Sequence, residues 1–314
     1  MGPGRGDWIN CAMHASLARL LHEVIDYAGL FPPCKLPMRD SVENYVRYRE
    51  GSETWILSRF ICPASRLMEL EQELARGENP DCISLSVVGT GGNDIEEFET
   101  NLEKDVADMN RFEDAVGDRC EIEGFEIRAP GSADIDKVVH DLEGFGDVDV
   151  FVELPWAADM HDGIVALAES EWLGLKARTG GIEPSAFPST QQLAAFLRDC
   201  LNLDVPFKLT AGLHHPVRRR DENMGVMMHG YINVLAAAAL AESHDLNTAE
   251  IEKVLEDTKA ENFVFGETGF GWHDYGASIE DIDSIRGLFV SFGSCSVEEP
   301  IEDLKRVGLM AVKA

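Results

Sequence analysis

Two lysines stand where lysine is normally excluded. Lys176 lies inside the apolar run "WLGLKART" and Lys208 inside "VPFKLTAG", and small residues follow each one. A buried lysine needs a partner, and this chain has only nine lysines. In extended chain, side chains alternate between two faces. Lys176 therefore shares a face with Arg178, Lys208 with Thr210, and Glu126 with Arg128. On neighbouring strands the two lysines would stand about 5–8 Å apart. Each cation disfavours charge on the other, and burial does so again. One of them would then be a neutral amine near pH 7, which is what imine formation with a carbonyl requires.

Such positioning needs a rigid frame, and the pattern along the chain supplies one. Short apolar runs alternate with charged, helix-periodic stretches. The expected strands are 54–64, 82–89, 120–129, 148–155, 172–179, 205–212, 262–268 and 287–293. Helix starts are marked by Ser189-Thr190 and Asn247-Thr248. Eight strands alternating with helices predict an α/β fold of the (β/α)8 TIM type, with an open doubly wound sheet as the alternative. No GxGxxG follows a first strand, so nothing points to a dinucleotide, and "GTGG" at 89–92 reads as a turn. Two helices, at 8–25 and 40–49 with Asp40 or Ser41 as cap, would form an N-terminal extension over residues 1–50. The barrel would then occupy 51–314. Within "MGVMMHGYINVLAAAALAES" a helix is expected to start near Gly230, with a strand at 230–235 as the alternative.

In a (β/α)8 barrel the chemistry sits at the carboxyl ends of the strands. The ionisable and polar residues expected there are Arg59, Glu126, Arg128, Glu153, Lys176, Arg178, Thr179, Lys208, Thr210, His214, His215, Glu267 and Ser294. We expect Lys176, Lys208, Glu153 and His214 to be catalytic. Arg59, Arg128, Arg178, Thr179, Thr210, His215 and Ser294 would hold substrate. A purely structural ring of salt bridges is the plain alternative for this cluster. Adjacent His214 and His215, with Glu153, are a candidate divalent-metal set, and His229 lies nearby in sequence. Without that set no cofactor is expected. "RTGG" at 178–181, "FGSCSVEEP" at 292–300 and Arg218, Arg219 and Arg220 are candidate anion binders. The loop "DYAGLFPP" would pack Leu30 and Phe31 over the barrel end, unless Asp26 reaches the site.

"KARTG" at 176–180 resembles the K-x-S-T-G strand of the deoxyribose-phosphate aldolases, and "KLTAGL" at 208–213 resembles their following K-A-A-G-G-I strand. The resemblance implies a (β/α)8 barrel in which Lys176 forms the Schiff base and Lys208 perturbs it. Only these two short motifs carry it. Arg178 stands where the family has serine, the family's acidic strand motif has no match, and Glu153 is its candidate replacement.

The formal charge is −30, from 27 Lys+Arg against 57 Asp+Glu. Such a surface repels phosphate backbones and anionic lipid, so nucleic-acid and membrane roles are not expected. It also suits a chain made for high salt. No apolar run approaches the roughly 20 residues of a membrane span, and no signal-peptide pattern opens the chain. A cytoplasmic location is expected. The seven cysteines contain no CxxC pair and read as reduced core thiols. The functional expectation is an enzyme acting on a small anionic carbonyl compound, a sugar phosphate or a hydroxy or keto acid. It would work as an aldolase-like lyase or an isomerase. A metal-assisted enediolate enzyme and a non-catalytic metabolite-binding barrel are the alternatives, and the sequence leaves a homo-oligomer open.

Overall fold

The computed structural model describes residues 13–76, 82–145, 148–157 and 159–311. Eight parallel strands close into one barrel, with helices packed around it. In chain order the barrel strands are Ile25–Tyr27, Leu57–Pro63, Ile83–Val88, Cys120–Arg128, Asp149–Glu153, Leu173–Arg178, Phe207–Thr210 and Phe289–Ser294. This is the (β/α)8 TIM-type architecture, and the open sheet is ruled out by closure of the first strand on the eighth. No helix among the described residues is long and apolar enough to cross a membrane.

Two elements differ from the sequence reading. The first barrel strand is Ile25–Tyr27, inside the segment read as a helical extension. It pairs with the second strand on one side and the eighth on the other, so residues 13–50 are not a layer apart from the barrel. Three residues are too few to show a period of two, and the apolar spacing before them masks the strand. The helix that precedes it is short, Ala15–Leu20, and the reading's residues 8–12 lie outside the described residues. The second helix, Met38–Glu50, has Pro37 and not Asp40 or Ser41 at its N-cap.

The run at 262–268 is not a barrel strand. Phe263–Phe265 pairs antiparallel with Gly269–Trp272, which pairs with Tyr275–Ser278, in a small separate sheet. Phe-Val-Phe alternates as a barrel strand does, and only its hairpin partner, rich in glycine, tells the two apart. Between strands seven and eight the chain therefore makes a long excursion. It runs through the hairpin Arg219–Asp221/Val226–Met228, then helices Tyr231–His244 and Thr248–Glu256, then the small sheet and helix Ile279–Leu288. Residues 231–241 are buried all round. A helix without an amphipathic stripe is a core helix, and this one is covered by Thr248–Glu256, Ile279–Leu288 and Tyr275–Ser278. The starts at Ser189, Asn247 and Ser278 are capping boxes, each satisfying the orphan amides of a first turn.

Glycines set two close approaches. A Cβ on Gly174 would lie 2.6 Å from the Phe151 ring, so strand six leaves room for that ring in the barrel. After strands six and seven, a Cβ on Gly180 would lie 2.8 Å from the Gly212 Cα, and one on Gly212 2.7 Å from the Thr179 carbonyl oxygen. The small residues that follow the two lysines thus let two loops pack backbone on backbone. Gly212 also has φ +79°, and Ala211 before it +58°. Gly212→Ala should therefore cost about 1–3 kcal/mol. Gly144→Ala, in open space, should stay within about 0.5 kcal/mol. Denaturant midpoints of the two variants at unchanged slope check this.

Candidate active site

Glu126, near the carboxyl end of strand four, points into the barrel and is 2 % exposed. Its two carboxylate oxygens take different lysines. Oε2 lies 2.9 Å from Lys176 Nζ and Oε1 2.6 Å from Lys208 Nζ. Lys176 and Lys208 are register partners on strands six and seven. Lys176 also meets Glu153 Oε2, at 3.1 Å, from the end of strand five. Lys208 also meets Asp26 Oδ2, at 2.5 Å, from strand one. Ser86 Oγ donates to Glu126 and Ser291 Oγ donates to Asp26, while the Arg59 amide donates to Asp26 Oδ1. Lys208 Nζ stands 5.3 Å from the centre of the Phe151 ring, which forms the floor beneath it.

The arrangement reverses one expectation. A carboxylate sits between the two lysines. Burial alone pushes the Lys176 ammonium down, but Glu126 and Glu153 overcome it and hold it above the ordinary lysine value. Burial pushes the Glu126 carboxyl up, and the two ammoniums overcome that and hold it well below the ordinary carboxylate value. Asp26, Glu126 and Glu153 carry three negative charges against two on the lysines. Arg178 Nη1, 3.7 Å from Glu153 Oε1, brings the balance to zero. By linkage, Glu126 stabilises the fold above its ordinary pKa, and that is lost as pH falls through its depressed value. Lys176 stabilises below its ordinary pKa, and that is lost as pH rises through its elevated value.

Of the residues expected at the site, the barrel brings Lys176, Lys208 and Glu153 together and puts Arg178 at their rim. Arg128 is at the same end, beside Glu153 in register, with Nη2 on the Gly92 carbonyl. Thr210 stands beside Arg178 in register. Others are placed differently. Arg59 is at the opposite end, paired with Glu123 and Asp149 and lining a cleft of about 470 Å³ with Arg19, His22 and Arg286. It lies too early in its strand to reach the carboxyl end. Thr179 donates its hydroxyl to the carbonyls of Thr210 and Ala211, which ties two loops together. Ser294 Oγ is bonded to the Ser296 carbonyl. Glu267 is outside the barrel, beside His14.

The histidines do not join Glu153. His215 Nδ1 is bonded to Asp303 of the last helix, Glu298–Arg306. Burial pushes the half-buried His214 imidazole down, and Glu299 opposes it. Among the described residues, no three His, Cys, Asp or Glu are arranged to hold a metal ion, so the set Glu153, His214 and His215 is not assembled. His229 is buried, with Nε2 on the Pro188 carbonyl and Nδ1 facing Arg218. Arg219 and Arg220 are exposed on the hairpin. Of the candidate anion loops, 178–181 has its Thr179 amide bound to the Thr210 carbonyl. Glu298, at the start of the last helix, pairs with Arg47.

Sequence reasoning placed the two lysines but left the bridge out of the catalytic set. Glu126 was legible as a polar residue alternating with Arg128. Asp26 was hidden by the shortness of its strand, and Ser86, Ser291 and Phe151 carry no signal apart from the fold. No protein-family model matches the sequence, and none of the curated proteins is significantly similar to it.

Two outcomes follow from the burial. Lys208→Met leaves Asp26 without its ammonium and Glu126 with that of Lys176 alone, and should cost about 3–5 kcal/mol, read from denaturant unfolding at pH 7. Burial pushes His229 from 6.5 down to about 4. The unfolded chain therefore binds a proton that the folded one excludes. Between those values stability should fall with pH by about 1.4 kcal/mol per unit on this account. His229→Gln should lack that share, seen as a shallower stability profile between pH 6.5 and 5.

Proposed function

We propose that this barrel is an enzyme that forms an imine between Lys176 and a small polar carbonyl compound, as an aldolase-like lyase or isomerase. The observation that carries the reading is the position of Lys176 on the inner wall, at the carboxyl end of the strands, with the Glu153 carboxylate 3.1 Å away and able to take its proton. A pair of lysines on neighbouring strands is also what the deoxyribose-phosphate aldolases have, and the resemblance of the two motifs supports the same division of roles. Of the two lysines, Lys176 has the more exposed side chain, 6 % against 1 %. Buried ion pairs contribute little net stability compared with apolar packing, so five charged groups in one barrel layer favour a chemical task.

On this reading Lys176 first passes a proton to Glu153, the more exposed of its two carboxylates. The free amine adds to the substrate carbonyl, and the carbinolamine takes the proton back as it loses water. The resulting iminium draws electrons from the neighbouring carbon. A carbon–carbon bond breaks or a proton moves, with Glu153 again accepting the proton. Lys208, anchored by Asp26, keeps Glu126 ionised and aimed. Arg178 and Arg128 at the rim would hold an anionic group by charge-assisted hydrogen bonds.

The second reading is a barrel that binds a metabolite without chemistry. It is favoured by one observation: each charge of the cluster is already paired and nearly sealed from water. Reductive trapping separates the two. The protein is incubated with small aldehydes, ketones and sugar phosphates, borohydride is added, and the intact mass is measured. We expect an adduct on Lys176 that is absent from Lys176→Arg, a variant that keeps the cation between its carboxylates but cannot form an imine. No adduct from any compound would leave the binding barrel as the better account.

A further inference from the structure

We propose that Cys34 and Cys295 form a reversible thiol–disulfide exchange site at the seam where the barrel closes, taking small-molecule disulfides as its substrate. Their sulfurs are 2.8 Å apart. They come from loops that leave adjacent strands at the same end. Cys34 follows the first strand and Cys295 directly follows the eighth, and these strands pair Tyr27 with Ser294. The Ala28 amide donates to the Ser294 carbonyl, so the two loops are held together just above that pair. Within the Cys34 loop, the amides of Lys35 and Leu36 donate to the carbonyls of Phe31 and Gly29, which fixes its path. Two thiols already in contact need little backbone movement to join.

The two cysteines are not equivalent. Cys34 is exposed and Cys295 is 5 % exposed. Burial, then the neighbouring Cys34, pushes the Cys295 thiol up to about 12. Cys34 is therefore the sulfur that meets an oxidant, and Cys295 resolves the product. The Cys34 thiolate attacks one sulfur of a small disulfide such as oxidised glutathione. The S–S bond breaks and one glutathione leaves, taking a proton. Cys295 then gives up its proton and attacks the Cys34 sulfur, and the second glutathione leaves as a thiol. Two protein thiols become one disulfide, and one small disulfide becomes two thiols. Among the described residues, the other buried cysteines, Cys62, Cys120 and Cys200, are free and make no such pair.

The test uses the full chain, folded, with oxidised glutathione at neutral pH, followed by intact mass and peptide mapping. The wild type should lose two hydrogen atoms, retain no glutathione and yield one linked peptide joining Cys34 to Cys295. Dithiothreitol should reverse it. Cys295→Ser should retain one glutathione on Cys34, and Cys34→Ser should leave Cys295 unmodified. A wild type that keeps glutathione on Cys34, links another pair or does not react would overturn the proposal. Because the wild type alone gives the deciding readout, a variant that folds poorly does not leave the question open.

Discussion

One carboxylate between two ammoniums organises the centre of this protein. Glu126 touches Lys176 with one oxygen and Lys208 with the other. Without it, two cations on neighbouring strands would repel each other in a medium of low dielectric. With it, each lysine can be buried and still charged, because each also has a second carboxylate, Glu153 or Asp26. The ionised state of the cluster is thus a property of the set and of no single residue.

The barrel is what makes such a set affordable. Strands one, four, five, six and seven each contribute one charged side chain to a single layer, which an open sheet could not gather around one point. Strands three and eight add the hydroxyls of Ser86 and Ser291, so carboxylate lone pairs left over by the lysines are also satisfied. Beneath the layer, Gly174 makes room for Phe151, and that ring offers its face to Lys208. Above it, Gly180 and Gly212 bring two loop backbones into contact. Packing and charge therefore constrain the same few residues. A barrel layer with this much charge gains little net stability over an apolar one.

Much of this was legible in the sequence, and the failures have definite causes. Lys176 and Lys208 stood out because lysine inside an apolar strand demands partners. Period-two alternation placed them, Glu126 and Glu153 on inward faces. Arg59 obeyed the same alternation and was still misplaced, since alternation sets the face and says nothing of the level along the barrel. The triple arginine and paired histidines looked like a site because of their types. They lie in the long excursion after strand seven, where sequence neighbours diverge: His215 turns to Asp303, His229 to Pro188.

By itself the sequence determined the alternation of strand and helix, the acidic composition and the inward-facing lysines, because these depend on composition and on short periods that each segment carries alone. Only the tertiary structure decided which strand is first, and which carboxylate meets which lysine. It also decided that Lys176 is held charged. Those outcomes depend on closure of the barrel, which brings Asp26 and Lys208, 182 residues apart in the chain, within hydrogen-bond reach. No local pattern encodes that distance.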